Sequence, residues 1–586
     1  MLSGQLPKKA FTCFYWVNGG CRHSADQCKF VHEYTERVAK PPKPPRYAWR
    51  DDRPETRNLI DLLSNGGDSS DSKDFDSVAT SEEGVETVRP AQIVARAIES
   101  GHDYELVKEL LTSYSQAGGS DSISPEEKLE ILLSVIRCDR VDLVELVIEN
   151  GADPNGVVPN SEIPLLGSAI LNRNSAAVSI VNILLASGAD PHAIPKSLWE
   201  DGIYTLQDSD AEEDDESIDS GLKALTDTLA QSVNVSIKHS LLEASMPLSP
   251  LPANVEMYLL PFIKRISHAE NTMIGQRIAI GWAKKFLTMR FMTRMNSPLV
   301  MAFVGPTGHG KTSLAKEIGT FIPISSLRRV GATATDEEFS NDRSKSTNAP
   351  GELQVLYVDH GDAAEYPRLL SFLDGDDTFY YLNKGSKVLI DKSNTVCIIA
   401  TTRGEDEVVR YHSDNTGRFA VELQGDTVWE FGLHNDLQAC LRNELEKDIG
   451  ASLAGHIGCV IPFLPFSRAE KAVLTHSYLL KATDALAEFH DSLHQSKHGG
   501  PDNTTFSLDA DIVACDRLAK ENYVVKLGAR SIEQGVFRTA QCQMVHEYLK
   551  SDLVHGNRVG DDENAADRGD RCVTVIVRED VTITLE

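Results

Sequence analysis

The sequence lacks any run approaching the roughly 20 apolar residues that a membrane-spanning helix needs. The opening stretch, Met1 to Lys9, has no apolar core that would serve as a secretion signal. Cysteine is sparse as well: there are ten, three of them within the first 28 residues and the rest without paired spacing. That distribution excludes a disulfide scaffold and leads to an expected intracellular protein with reduced thiols. Basic residues are also in short supply, 58 Lys and Arg against 87 Asp and Glu, for a net charge of −29. The shortage is uneven, because residues 1–50 hold nine Lys or Arg and three Asp or Glu. A front of +6 therefore sits on an acidic body near −35, and any nucleic-acid contact belongs to the front.

At 586 residues the chain is too long for one core, and composition divides it. Residues 1–50 form a basic module closed by the Pro-rich run Lys40 to Pro45, and 51–90 read as an acidic, disordered linker rich in Ser, Asp and Gly. Periodic apolar sequence occupies 91–195. A second acidic linker, 196–252, includes eight carboxylates between Asp208 and Asp219, a run that repels itself and cannot build a core. From 253 onward, strand-like and helix-like segments alternate, as in an α/β domain, with a division near 465 into a large part (253–465) and a small part (466–586).

The periodic block repeats itself. Gly151-Ala152-Asp153-Pro154-Asn155 returns 37 residues later as Gly188-Ala189-Asp190-Pro191-His192. Before each copy lie matching apolar sets, Leu143, Val144, Leu146, Val147 and Ile148 against Ile180, Val181, Ile183, Leu184 and Leu185. Their spacing marks one helix face, and the Gly marks its stop. Leu106, Val107, Leu110 and Leu111 form a weaker copy upstream. The pattern resembles ankyrin repeats, of which the usual period is about 33 residues, with small insertions. That resemblance implies a stacked surface for a protein partner or substrate; the alternative is an ordinary helical bundle.

In the basic module, Cys13, Cys21, Cys28 and His32 stand with 7, 6 and 3 residues between them. Three thiolates and an imidazole suit a closed tetrahedral Zn²⁺ site. A segment this short buries too little to fold alone, whereas structural zinc supplies roughly 10–16 kcal/mol. The spacing resembles CCCH zinc fingers, and it favours His32 over His23 as the fourth ligand. Fingers of that kind commonly bind single-stranded RNA, and Phe14, Tyr15, Trp16 and Phe30 beside Lys8, Lys9, Arg22 and Lys29 fit base stacking. The same aromatics also fit a role as packing around the metal.

The most specific signal begins at Leu299 to Val304, a short apolar strand running into Gly305-Pro306-Thr307-Gly308-His309-Gly310-Lys311-Thr312. This is a complete G-x-x-x-x-G-K-[ST] pattern between a strand and a helix. Glycines let backbone N–H groups curl around phosphates, and the helix N-terminus adds positive partial charge. Lys311 is expected at the β- and γ-phosphates of ATP and Thr312 at Mg²⁺. A second strand, Gln354 to Val358, ends at Asp359, the place for a carboxylate that touches Mg²⁺ through water. A third, Thr395 to Ala400, ends at Thr401-Thr402.

The phrase from Val304 to Lys316 resembles the Clp-type unfoldases of the AAA+ superfamily. Ile274-Gly275-Gln276 matches the motif that lies beside the adenine in that family, and Gly528-Ala529-Arg530 matches its second sensor. The resemblance covers about residues 253–586. It implies an AAA+ P-loop domain and a small C-terminal lid from which Arg530 contacts the γ-phosphate; with the small zinc finger and the α-helical ankyrin-like repeats, the expected whole is a multidomain α/β protein. It also implies a homo-oligomeric ring if the ATPase is active. Four departures stand against the pattern. His360 occupies the place of the glutamate that orients the attacking water, Thr402 that of a sensor asparagine, and His456 that of the arginine finger. Residues 328–351 lack the Gly-aromatic-x-Gly pore loop. Two functions therefore stay open: an ATPase that remodels partners selected by the repeats, and a hydrolysis-deficient, nucleotide-responsive scaffold. A third is an RNA-binding regulator acting through the finger.

Overall fold

The computed structural model describes residues 89–116, 123–159, 161, 163–172, 175–200, 226–246, 265–293, 297–330, 353–359, 364–375, 378–383, 385–415, 432–498, 504–551 and 571–585. Cys13, Cys21, Cys28, His32 and His360 lie outside them. The chain divides into two units, 1–100 and 101–586. Within the first, helix α1 (Pro90–Glu99) is described, with Ala91, Ile93, Val94, Ala97 and Ile98 buried.

The second unit starts with helix pairs. Helix α2 (Tyr104–Gln116) is followed by α3 (Pro125–Arg137) and α4 (Val141–Glu149), then by α5 (Leu165–Leu171) and α6 (Ser175–Ala186). Helix α3 starts where a capping box demands it. Ser124 Oγ accepts from the Glu127 amide, and the Glu127 carboxylate accepts from the Ser124 amide, with Pro125 at the first helical position. The two Gly-Ala-Asp-Pro turns close alike, Ala152 N–H donating to Val147 O and Ala189 N–H to Leu184 O. They also bind each other: Asn155 donates to Gly188 O at 3.0 Å and accepts from Asp190 N–H at 2.8 Å. One turn therefore reads the next, which is how a repeated unit stacks on its neighbour.

Helix α7 (Val235–Ser245) joins this helical block to the remainder. Asn234 caps it, and it packs against α6 on one side and the long helix Arg468–His498 on the other. Ser236 Oγ meets His476 Nδ1 at 2.8 Å, and Val235 packs on Val473. At its other end Glu243 pairs with Arg277, the first residue of helix α8 (Arg277–Thr293).

Beyond α8 lies a five-stranded parallel sheet with its strands ordered β2-β4-β7-β1-β8. These are β1 (Leu299–Val304), β2 (Thr320–Pro323), β4 (Gln354–Asp359), β7 (Thr395–Thr401) and β8 (Ile457–Pro462), while the short β3 (Arg328–Arg329) pairs with β5 (Phe379–Asn383), and β5 with β6 (Ser386–Leu389), in a separate small sheet. Strands β1 and β7 are buried along their whole length, as the apolar runs Leu-Val-Met-Ala-Phe-Val and Thr-Val-Cys-Ile-Ile-Ala-Thr require of a sheet covered on both faces. Helix α9 (Lys311–Ile318) follows β1, α10 (Tyr366–Asp374) precedes β5, α11 (Glu405–Asp414) follows β7, and α12 (Gly432–His456) precedes β8. The register sets Val304 beside Thr401 and Asp359 beside Ala400, so the carboxyl ends of β1, β4 and β7 share one edge. Ligands of open α/β sheets bind outside that edge.

A second core collects α13 (Arg468–His498), α14 (Ile512–Asn522), α15 (Ala529–Val536), α16 (Cys542–Lys550) and the sheet β9 (Thr504–Ala510), β10 (Arg571–Val577), β11 (Ile583–Leu585). Strand β10 runs parallel to β9 and antiparallel to β11. The whole is a multidomain α/β protein built of helices and a parallel sheet. No helix among the described residues is long and apolar enough to cross a membrane.

Candidate functional site

The loop from Gly305 to Gly310 leaves β1 at the shared edge and enters α9 at Lys311. Among the described residues, no acceptor meets the backbone N–H groups of Thr307 through Thr312. Six consecutive unclaimed amides at a helix N-terminus form a concave set of donors, the arrangement that an oxyanion fills. Lys311 folds back over the loop, and its Nζ donates to Gly305 O at 2.7 Å and Pro306 O at 2.8 Å. Burial pulls its pKa down to about 8, with Arg530 acting in the same direction, against the raising fields of Asp359 and Glu405. The ammonium is thus undersupplied with negative charge. A bound polyphosphate would supply that charge, so the donor set fits a nucleoside triphosphate.

Thr312 Oγ1 lies 2.8 Å from Tyr357 Oη, on the strand that carries Asp359 two residues later. Asp359 is exposed at the end of β4. A hydroxyl and a carboxylate on neighbouring elements at this edge are oxygen donors of the kind Mg²⁺ takes, with water completing its shell. Among the described residues, no group of three or more His, Cys, Asp or Glu gathers to hold a metal by itself. Thr402 is half-buried just past β7, where its carbonyl accepts from the Glu405 amide at 3.0 Å.

The second core reaches the loop directly. Ala529 N–H, at the start of α15, donates to Gly308 O at 3.0 Å. Gly308 has φ +73°, and a Cβ on it would stand 2.0 Å from Leu527 O, so a side chain there is sterically barred. Arg530, the next residue along, is exposed beside this junction. Lys526 adds ion pairs to Glu405 at 3.6 Å and Asp406 at 3.3 Å.

His309 makes the tightest link. It is fully buried, stacked on Phe466 with ring centroids 4.9 Å apart. Its Nδ1 lies 2.9 Å from Thr307 O and 3.2 Å from Pro306 O, and carbonyls only accept, so the proton is on Nδ1. Nε2 then accepts from Tyr523 Oη at 3.1 Å, and Tyr523 in turn accepts from Phe466 N–H at 3.3 Å. Burial, helped by Lys311 and His412, lowers the imidazole pKa to about 4, which agrees with a neutral ring.

Ile274, Gly275 and Gln276 sit where the two cores meet. Ile274 packs on the second core. Gln276 adopts φ +63° and clasps the Leu464 backbone both ways, donating to its O at 2.7 Å and accepting from its N at 3.1 Å. Met273 reaches Gly310, within 3.2 Å of where a Cβ on that glycine would stand. The sequence-predicted loop, Asp359, Thr402, Ile274 to Gln276 and Arg530 therefore converge on one sheet edge. His456 is engaged elsewhere, its Nε2 2.8 Å from Asp374 Oδ1 at the end of α10.

No protein-family model matches the chain. It is 24% identical over 513 residues to the mitochondrial disaggregase of Bos taurus, a match that spans 74% of this chain and 72% of that one. The chain is similar to a disaggregase. That similarity supports the Clp-type AAA+ reading over the part of the chain it spans. A solved structure of Hsp104 in its closed state with ATPγS and FITC casein covers 85% of this chain and 76% of its own at 15% identity, with a TM-score of 0.32. At that score the likeness adds nothing to the strand order described above.

Sequence reasoning missed Tyr357, Phe466 and Tyr523, and it gave His309 no role beyond its place in the loop. Tyr523 stands only five residues before Gly528, but nothing local ties either residue to a loop more than 200 positions earlier.

Proposed function

We propose that the chain binds ATP with Mg²⁺ at Gly305–Thr312 and is a Clp-like AAA+ ATPase that remodels partner proteins. The run of unclaimed amides from Thr307 to Thr312 beside the desolvated Lys311 carries the binding reading. In it, the loop N–H groups and Lys311 hold the phosphates, Thr312 and Asp359 hold Mg²⁺, and Arg530 approaches the γ-phosphate from a C-terminal lid. The metal, when bound, neutralises charge on the phosphate oxygens. Thr402 positions water, and His360 stands where the base belongs. Gly305, Pro306, Thr307, Gly308, His309 and Gly310 shape the phosphate cradle, and Ile274, Gly275 and Gln276 border the base. The name of the bovine relative supports protein remodelling as the use of the ATP.

The same reading divides the chain into a finger (1–50), a linker (51–90), ankyrin-like repeats (91–195), a linker (196–252), a nucleotide-binding domain (253–465) and the lid (466–586). The stacked turns at Asn155 and Gly188 support a repeat surface that selects a protein partner. Cys13, Cys21, Cys28 and His32 hold Zn²⁺ in a finger that contacts RNA, and the active form is an intracellular homo-oligomeric ring. A second reading, a nucleotide-responsive scaffold that hydrolyses slowly, is favoured by His456, because a side chain already engaged with Asp374 is not extended toward a neighbouring copy as an arginine finger is.

Steady-state ATP turnover by the full chain beside Lys311→Ala separates the two. Turnover lost in the variant is the expected result for an ATPase. Binding that needs Lys311 without turnover above the variant would establish the scaffold, and binding indifferent to Lys311 would remove both.

A further inference from the structure

The P-loop is not the only place where the two cores press together. Gly275 has φ +72°, and a Cβ there would stand 2.9 Å from both Cδ and Oε1 of Glu470 and 3.1 Å from the Phe466 ring. Glu470 is thus laid directly over the backbone of the Ile274-Gly275-Gln276 segment. Its other oxygen is committed: Ser467 N–H donates to Oε2 at 2.6 Å, while Glu470 N–H donates to Ser467 Oγ at 3.2 Å. This reciprocal cap fixes the carboxylate plane at the first turn of α13 and leaves Oε1 toward Gly275. Gln276, the obvious alternative reader, has both ends of its amide taken by Leu464. The neighbouring Phe466–His309 stack is aromatic and, through Nδ1 and Nε2, already hydrogen-bonded.

We propose that Glu470 is a specificity-determining residue for the nucleotide, its Oε1 accepting a hydrogen bond from the exocyclic 6-amino group of adenine. The inference rests on the reading that the P-loop binds a nucleoside triphosphate with its base beside Met273–Gln276. Adenine presents a 6-amino donor where guanine and hypoxanthine present a 6-oxo acceptor. A fixed carboxylate oxygen pairs with the first and faces the second acceptor to acceptor, which leaves buried polar groups unmatched.

The cap makes an isosteric test decisive. Ser467 N–H can only donate, so in Glu470→Gln it retains the amide oxygen and the amide nitrogen turns toward Gly275. An acceptor is thereby exchanged for a donor with no change of volume. Affinities of ATP and inosine triphosphate for the full chain are measured by isothermal titration at about pH 8, because burial raises the carboxyl pKa and the ionised form is wanted. The natural chain is expected to prefer ATP by about 10-fold or more, and Glu470→Gln to lose or invert that preference. Where circular dichroism shows Glu470→Gln misfolded, Glu470→Ala replaces it, with a ratio near one expected. An unchanged ratio in a folded variant overturns the role of Glu470 and leaves the nucleotide site standing. A natural chain that binds neither triphosphate overturns the site, and this inference with it.

Discussion

At the scale of single residues, the loop is held as much by what touches it from 200 positions away as by its own glycines. Gly308 shows this most directly, with its carbonyl accepting from Ala529 and the space for a Cβ filled by Leu527 O. Gly308→Ala should therefore cost more than about 1 kcal/mol, since a positive φ and a backbone clash are both imposed. Hydrogen exchange at the Ala529 amide reports it: protection in the natural chain should fall in the variant, and unchanged protection would show that the two cores are joined without this bond. The position of the loop was legible from Gly305, Gly310, Lys311 and Thr312 following a buried strand. The neutral state of His309 was not, because it depends on Tyr523 and Phe466, which the sequence places far downstream.

At the scale of elements, α7 ties the helical block to both cores. Its N-terminal end meets α13 through Ser236 and His476, and Glu243 at its C-terminal end pairs with Arg277 next to Gln276. His476 is fully buried, and desolvation lowers its pKa to about 4 from 6.5. In the unfolded chain it takes up a proton near 6.5, so between those values the unfolded state binds more protons. The contribution is complete above pH 6.5 and is lost as pH falls toward 4, on the order of 3 kcal/mol in full. His476→Asn keeps a hydrogen-bonding group for Ser236 and does not titrate. Its urea midpoint should therefore drop less than that of the natural chain between pH 7 and pH 5, and equal drops would mean that His476 is not held neutral. Single helices follow from local pattern: Ile512–Asn522 carries its apolar residues at helical spacing and starts behind the Asp511 cap. The docking of α7 on α13 was not legible, since Val235 and Val473 are each ordinary apolar residues whose partnership exists only in three dimensions.

At the scale of the whole molecule, an acidic body carries a basic front whose ligand set, Cys13, Cys21, Cys28 and His32, lies outside the described residues. Metal analysis of the full chain should find about one zinc per chain, lost in Cys13→Ser with ATP binding intact; zinc-free natural protein would remove the finger. Local pattern was sufficient for the alternation of strand and helix, the P-loop between them and the repeated Gly-Ala-Asp-Pro turns, because periodicity and φ preference act over a few residues. Folding alone decided that the carboxyl ends of β1, β4 and β7 share an edge, that α15 starts on the loop, and that Glu470 covers Gly275. Those are contacts between distant segments, and their partners are selected by the packing of two cores rather than by any feature of the residues taken one at a time.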